Sequence, residues 1–238
     1  WRDWSSDVCS SDLILDLCIT LFNFIGIGSS VVIAQYLGAG DRRMTRRVVH
    51  TAIGFNLLVG LICSLTVIFG ADGLLQLMNM PENLMKDGHI YLTVIGLCLL
   101  PEAAALCMAA ALRAHGHTRE AMYVTLVANL ITFVGNALLL FGYFGLPKMG
   151  VAGVAWSTVV GRLVALALLV YLLQKRTGIR LVFRQLFQWP REVLGKIMHI
   201  GLPAAGENLS WMLQFMVVTS FVALMGDKAL ATQSFFFQ

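Results

Sequence analysis

Glu102, Arg162 and Glu207 stand where charged residues are rarest, inside long apolar runs. Glu102 follows Pro101 in LTVIGLCLLPEAAALCMAAAL, Arg162 interrupts GVAWSTVVGRLVALALLV, and Glu207 with Asn208 lies in GLPAAGENLSW. A carboxylate in apolar surroundings is suited to exchanging a proton or holding a cation. A guanidinium stays protonated and demands a carboxylate, carbonyls or an anionic ligand. In hydrocarbon such groups are costly and face a cavity or a partner. Pro101 weakens the local backbone ladder, which would turn Glu102 toward a cavity. For Arg162 the first reading is an ion pair with Glu102 or another acid, and the second is an anionic substrate. Asn129, Asn136 and Gln214, with Asn23 and Gln35, are suited to hydrogen bonds across helices or to lining the same cavity. Asp16 falls at the edge of an apolar run, at an interface.

Other chemistries find little support. HExxH is absent and no serine or cysteine nucleophile is identifiable beside a base, so no catalytic residue is assigned. His115 and His117 are a two-residue pair, and the five cysteines lack metal-ligand spacing, so no metal site is expected. The stretch YLGAGDRRMTRR has neither the spacing nor the lysine of a phosphate-binding loop. Its glycines suit a helix end and Asp41 suits the cap of the next helix. The net charge of +4 sits in short loops, not in the accessible stripe of a nucleic-acid binder.

The elements that position these residues emerge from composition. The chain is 58% hydrophobic and 13% charged, with a mean hydropathy of +0.78. A slab of hydrocarbon about 30 Å thick calls for helical runs of about twenty apolar residues. Six such spans can be drawn, at 13–37, 48–69, 89–112, 121–142, 151–173 and 199–225, and a seventh begins near 229. Period-two alternation is absent, so the fold class is all-α, a polytopic transmembrane helical bundle. Gly26, Gly28, Gly54, Gly60, Gly96 and Gly135 would allow close helix contact. Alternate loops carry twelve Lys and Arg on one side against three on the other. That asymmetry places the arginine-rich loop in the cytoplasm. The polar stretch 174–198 reads as a linker with a short helix at the inner interface. Residues 1–12, with their near-duplicate SSDVC and SSDL, read as non-native junction sequence.

Five segments resemble one family in order: VIAQYLGAGDRRMTRR, LRAHGHTREAMYVTLVANLITFVGNALLLFG, GLPKMGVAGVAWSTVVGR, IGLPAAGENLSWMLQ and MGDKALAT. They are similar to the multidrug and toxic compound extrusion (MATE) family of the MOP flippase superfamily. The fourth loop departs from that family's Gly-Asp-Thr-Arg, reading Gly116, His117, Thr118, Arg119. The resemblance implies a truncated MATE-type fold: 13–173 as the remainder of the N-terminal six-helix lobe, 174–198 as the inter-lobe linker, and 199–238 as the start of the C-terminal lobe. It implies an internal fragment of a multi-pass, monomeric protein of the bacterial plasma (inner) membrane. The implied activity is antiport, exporting organic, often cationic compounds against Na⁺ or H⁺, with no cofactor beyond that coupling ion. Membrane lipids are the other partner. Some members couple to cations through a glutamate in the matching seventh helix, about one turn deeper than Glu207. The alternative within the superfamily is a flippase for lipid-linked precursors, toward which Arg162 is the one feature that leans. An intramembrane enzyme and a purely structural subunit are the more distant readings.

Overall fold

The computed structural model describes residues 2–77, 82–141, 150–179 and 181–224. The elements are α1 (Arg2–Gly38), α2 (Arg42–Leu77), α3 (Glu82–Ala114), α4 (Thr118–Phe141) and α5 (Gly150–Leu172). Next come a π-helical turn (Leu173–Thr177), the one-turn α6 (Phe183–Leu186) and α7 (Arg191–Leu224). The described residues contain no strand, and a membrane explains why. Backbone groups in hydrocarbon have no water to bond, and a helix satisfies them within its own segment.

Among the described residues five stretches are long and apolar enough to cross a bilayer: Cys18–Gly38, Arg42–Gly70, Leu92–Ala114, Thr118–Leu139 and Ala155–Thr177. They overlap the first five expected spans, 13–37, 48–69, 89–112, 121–142 and 151–173, with ends that differ by one to six residues. The sixth, 199–225, falls on α7, one continuous helix that holds Pro203, and its last residue lies outside the described ones. Residues 78–81, where the outer connection is expected to turn, and the span beginning near 229 lie outside the described residues. α1 continues unbroken from Arg2, so no helix break marks the 12/13 boundary. Within the expected linker, α6 supplies the short helix, and residues 191–198 already belong to α7.

The first basic turn forms as its sequence predicts. Gly40 has a φ of +76°, a conformation that side chains with a Cβ rarely adopt. Asp41 Oδ1 then accepts the N–H groups of Arg43 and Met44 at 3.1 and 3.0 Å, capping α2. α4 begins at Thr118, with the N–H of Ala121 donating to the His117 carbonyl at 3.3 Å. The basic loops gather at one end. Arg176 pairs with Glu120 at 3.3 Å, and Lys196 Nζ donates to Tyr36 Oη at 2.7 Å.

α3 is the axis of the bundle, touching α1, α2, α4 and α5. Of its membrane span 72% is buried, against 11% for that of α4. Small side chains make this position tenable: Ala103, Ala104, Ala105, Ala110 and Ala111 are all buried. Between helices in lipid there is little hydrophobic drive, and close approach supplies the dispersion contacts instead. Gly28, Gly54, Gly60, Gly96 and Gly135 each sit where a Cβ would come within 3.0 Å of a neighbouring segment, while Gly26 has room. At the α1–α7 crossing the backbones of Gly28 and Gly201 face one another, and at Gly54 the carbonyl of Leu186 in α6 rests on α2.

One buried amide ties three helices. Asn56 Nδ2 on α2 donates to the Ala103 carbonyl at 2.8 Å, with the Phe22 carbonyl at 3.4 Å and Cys107 Sγ at 3.2 Å. His50 does similar work nearer the inner face. Its Nδ1 is 2.8 Å from the Arg46 carbonyl, and its Nε2 accepts the Val182 N–H at 3.3 Å. That arrangement fixes the Nδ1–H tautomer and fastens the linker to α2.

Three outcomes are expected of thermal unfolding in detergent. Gly54→Ala should cost about 1–3 kcal/mol through overpacking against α6. Gly73→Ala, on the same helix with nothing within 4 Å of the added Cβ, should be neutral or slightly stabilising through helix propensity. Asn56→Ala should cost about 0.6–1.7 kcal/mol, from the average to the maximum measured for interhelical hydrogen bonds in a membrane protein.

Candidate functional site

The polar residues singled out from sequence lie apart from one another on α3, α4, α5 and α7. The exception is a pair between α3 and α5. Proline replaces an N–H at position 101, and the following Glu102 is 8% exposed. Arg162, one helix away and sixty positions later, places Nη1 2.8 Å from Glu102 Oε1. Gly161 beside it lets α5 approach the Thr132 side chain of α4, where a Cβ would collide. The hydrogen bond is charge-assisted and lies well inside both spans, where the surroundings screen it little.

The pair is asymmetric. Arg162's side chain is 41% exposed and Glu102's only 10%. Glu102 Oε2 is buried and has no hydrogen-bond partner among the described residues. A carboxylate with one oxygen engaged and the other bare has acceptor capacity left. Cys98 is buried four positions earlier on the same helix, and Ala103 beside the glutamate packs toward Gly60.

Asn136 lies on α4 and accepts a short hydrogen bond from Ser157 Oγ of α5. It therefore links two helices, one of the two roles expected of it. Asn129 is exposed on α4. On α7, Glu207 and Gln214 are both exposed. The side chains of Asn208 and Asp16 lie outside the described set. α7 packs on α1 and touches α2, and among the described residues it makes no contact with α3, α4 or α5. The structure thus joins Glu102 to Arg162 and leaves Glu207 on a different face of the bundle.

Two residues that sequence reasoning does not single out, Asn56 and His50, prove to be anchors. Asn56 is a lone amide inside the span 48–69, and that is signal enough to set it beside Asn129 and Asn136. His50 stands in an arginine-rich segment and offers no such signal, because its partner Val182 lies 132 positions away.

Comparison with known proteins places this geometry. The MatE family model matches residues 10–138. The chain is 37% identical to the uncharacterized transporter YisQ of Bacillus subtilis strain 168, over 94% of this chain and 49% of that protein. It is 29% identical to the probable multidrug resistance protein YoeA of the same strain, over 87% of this chain and 45% of that protein. A crystal structure of MATE in complex with MaD5 superposes with a TM-score of 0.87 at 21% identity, covering 98% of this chain and 52% of that one. A MOP superfamily transporter from Pyrococcus furiosus superposes with a TM-score of 0.83 at 21% identity, covering 98% and 51%. The chain spans about half the length of the curated relatives it matches. With more than half of its residues inside the family match and a bundle of helices long enough to cross a bilayer, this multi-pass membrane chain belongs to the MATE family.

Proposed function

We propose that the full-length protein is a cation-coupled antiporter of the bacterial plasma (inner) membrane. It exports organic, often cationic compounds by alternating access, in exchange for Na⁺ or H⁺. The observation that carries this reading is Glu102, a carboxylate buried in mid-span with one oxygen on Arg162 and the other unpartnered among the described residues. A proton or Na⁺ arriving at that carboxylate competes with Arg162 for it. Loss of the 2.8 Å bond would free α5 to move against α3, and differential affinity for the two arrangements is what couples an ion to a conformational change. Several relatives that match this chain are named as multidrug resistance proteins, which supports the substrate class.

Glu207 is the second coupling acid of this proposal. It lies four residues past Pro203 on α7 and is exposed. The flippase alternative needs Arg162 as an unmatched cation, and Glu102 matches that charge.

Efflux from the full-length protein in inside-out vesicles, under Na⁺ and pH gradients imposed separately, tests the proposal. Transport should follow one gradient. Glu207→Gln and Glu102→Gln should each lower gradient-driven efflux by about 5- to 150-fold, the usual span of a coupling free energy. Full gradient-driven efflux in both variants at normal expression would overturn the proposal. A stability cycle separates the pair's structural share. Arg162→Met should cost about 3 kcal/mol, toward the low end for a broken buried pair because the arginine is 41% exposed. Adding Glu102→Leu to it should restore most of that loss in thermal unfolding.

A further inference from the structure

A second polar feature lies away from the transport residues, at the inner end of the bundle. The first two turns of α2 and the segment around α6 enclose a cavity of about 540 Å³. Its lining is Arg43, Arg46 and Arg47 from α2, with His50, Gln185, Gln188, Trp189 and Pro190. The volume falls within the usual range of ligand pockets, about 300–1,000 Å³. No carboxylate lines it, and none of its three arginines makes an ion pair among the described residues.

The walls are held in place independently of any ligand. His50 is engaged at both ring nitrogens, by the Arg46 carbonyl and the Val182 N–H. Trp189 Nε1 donates to the Leu186 carbonyl at 2.7 Å, and its ring stands edge-on to Phe55 at 6.2 Å. These two therefore act as walls, while the arginine and glutamine heads remain as donors. Arg43 and Arg47 are four positions apart, with Arg46 beside them, so all three heads project from one face over about one turn. Such crowding of like charge is unfavourable without a counter-ion. The inner ends of the apolar spans are at this level, and the exposed Phe187 and Val182 flank the cavity on the linker. An apolar rim beside a basic pocket suits a molecule that is part anion and part hydrocarbon.

We propose that this cavity binds a phosphate-bearing anion, presented by the headgroup of an anionic lipid of the inner leaflet. The arginines would hold the phosphate oxygens through forked hydrogen bonds and the glutamine amides would take the remaining acceptors. Because the cavity joins α2 to the inter-helix linker, occupancy would also fasten α6 on the Gly54 face.

Native mass spectrometry and thermal unfolding of the full-length protein in neutral detergent test this, with phosphatidylglycerol, phosphatidylcholine or inorganic phosphate added. Phosphatidylglycerol should be retained and should raise the unfolding temperature, and phosphatidylcholine should do neither. Arg46→Gln/Arg47→Gln should weaken phosphatidylglycerol binding by about tenfold or more, given roughly fivefold for each basic residue near an anionic surface. Arg113→Gln/Arg119→Gln, an equal charge loss at positions that do not line the cavity, should leave it within about twofold, since charges outside the site act only through solvent that salt screens. Displacement of the lipid by millimolar inorganic phosphate, with the same residue dependence, would keep the anion site and make a soluble phosphate its source. Equal loss in the two variant pairs would reduce the effect to diffuse attraction and overturn the proposal. So would a wild-type protein that neither prefers phosphatidylglycerol nor binds phosphate.

Discussion

Everything in this bundle depends on how near its helices can come to α3. In water the burial of apolar side chains would drive assembly, but lipid tails are as apolar as leucine, and that drive is largely gone. What remains is dispersion between surfaces that fit, together with the few polar contacts reaching across. The run of alanines through 103–105 and 109–111 gives α3 a thin profile, and Gly60 and Gly96 bring it against α2 and keep it there. Because four helices touch this one, a widening at α3 would be felt on every side. The same thinness is what brings Glu102 within reach of Arg162. Both side chains span a gap that bulkier neighbours would have made too wide for a 2.8 Å bond.

Charge burial is the second constraint, and it arises from the first. A lone carboxylate on a tightly packed helix would be severely penalised, and so would a lone guanidinium. Joined, they form one neutral unit at the α3–α5 contact. Yet the join is incomplete, because Glu102 Oε2 stays bare among the described residues and much of Arg162 stays exposed. A pair built only for stability would close both oxygens. Incomplete satisfaction in a packed core leaves the local energy sensitive to the arrival of a small cation, which is the property a coupling site requires.

How much of this could be read from the sequence depended on how local each cause was. The spans were legible because hydrocarbon thickness sets a helix length that shows in the apolar runs themselves. The cap at Asp41 and the turn at Gly40 were legible for the same reason, since partner and residue are two or three positions apart. Glu102 and Arg162 could be matched across sixty residues because an ionised group in lipid must have a partner and few candidates exist. Contacts with no such necessity stayed hidden. Nothing in the neighbourhood of Gly54 announces that the Leu186 carbonyl will rest on it, nor does His50 reveal Val182 as its donor. Asn56 was available to inspection, but whether an amide ties three helices or one is decided by packing.

Those hidden contacts change the character of the linker. Taken locally, the segment after α5 is a basic, partly apolar connection between two groups of helices, and on that basis it would be loose. Instead the Val182 N–H is fastened to His50, the Leu186 carbonyl meets α2 at Gly54, and Trp189 closes on Phe55. Three anchors on one helix make the connection an extension of α2. α7, which begins directly after it, is then positioned by two independent constraints, the anchored linker at its start and the Gly28–Gly201 crossing farther along. In a transporter that works by rocking one group of helices against another, the anchored linker would move with α2. The α3–α5 junction is closed by a different device, the Glu102–Arg162 pair. In the proposed antiporter a rearrangement there would change the pairing of a buried charge, and movement at that seam would be linked to ion occupancy.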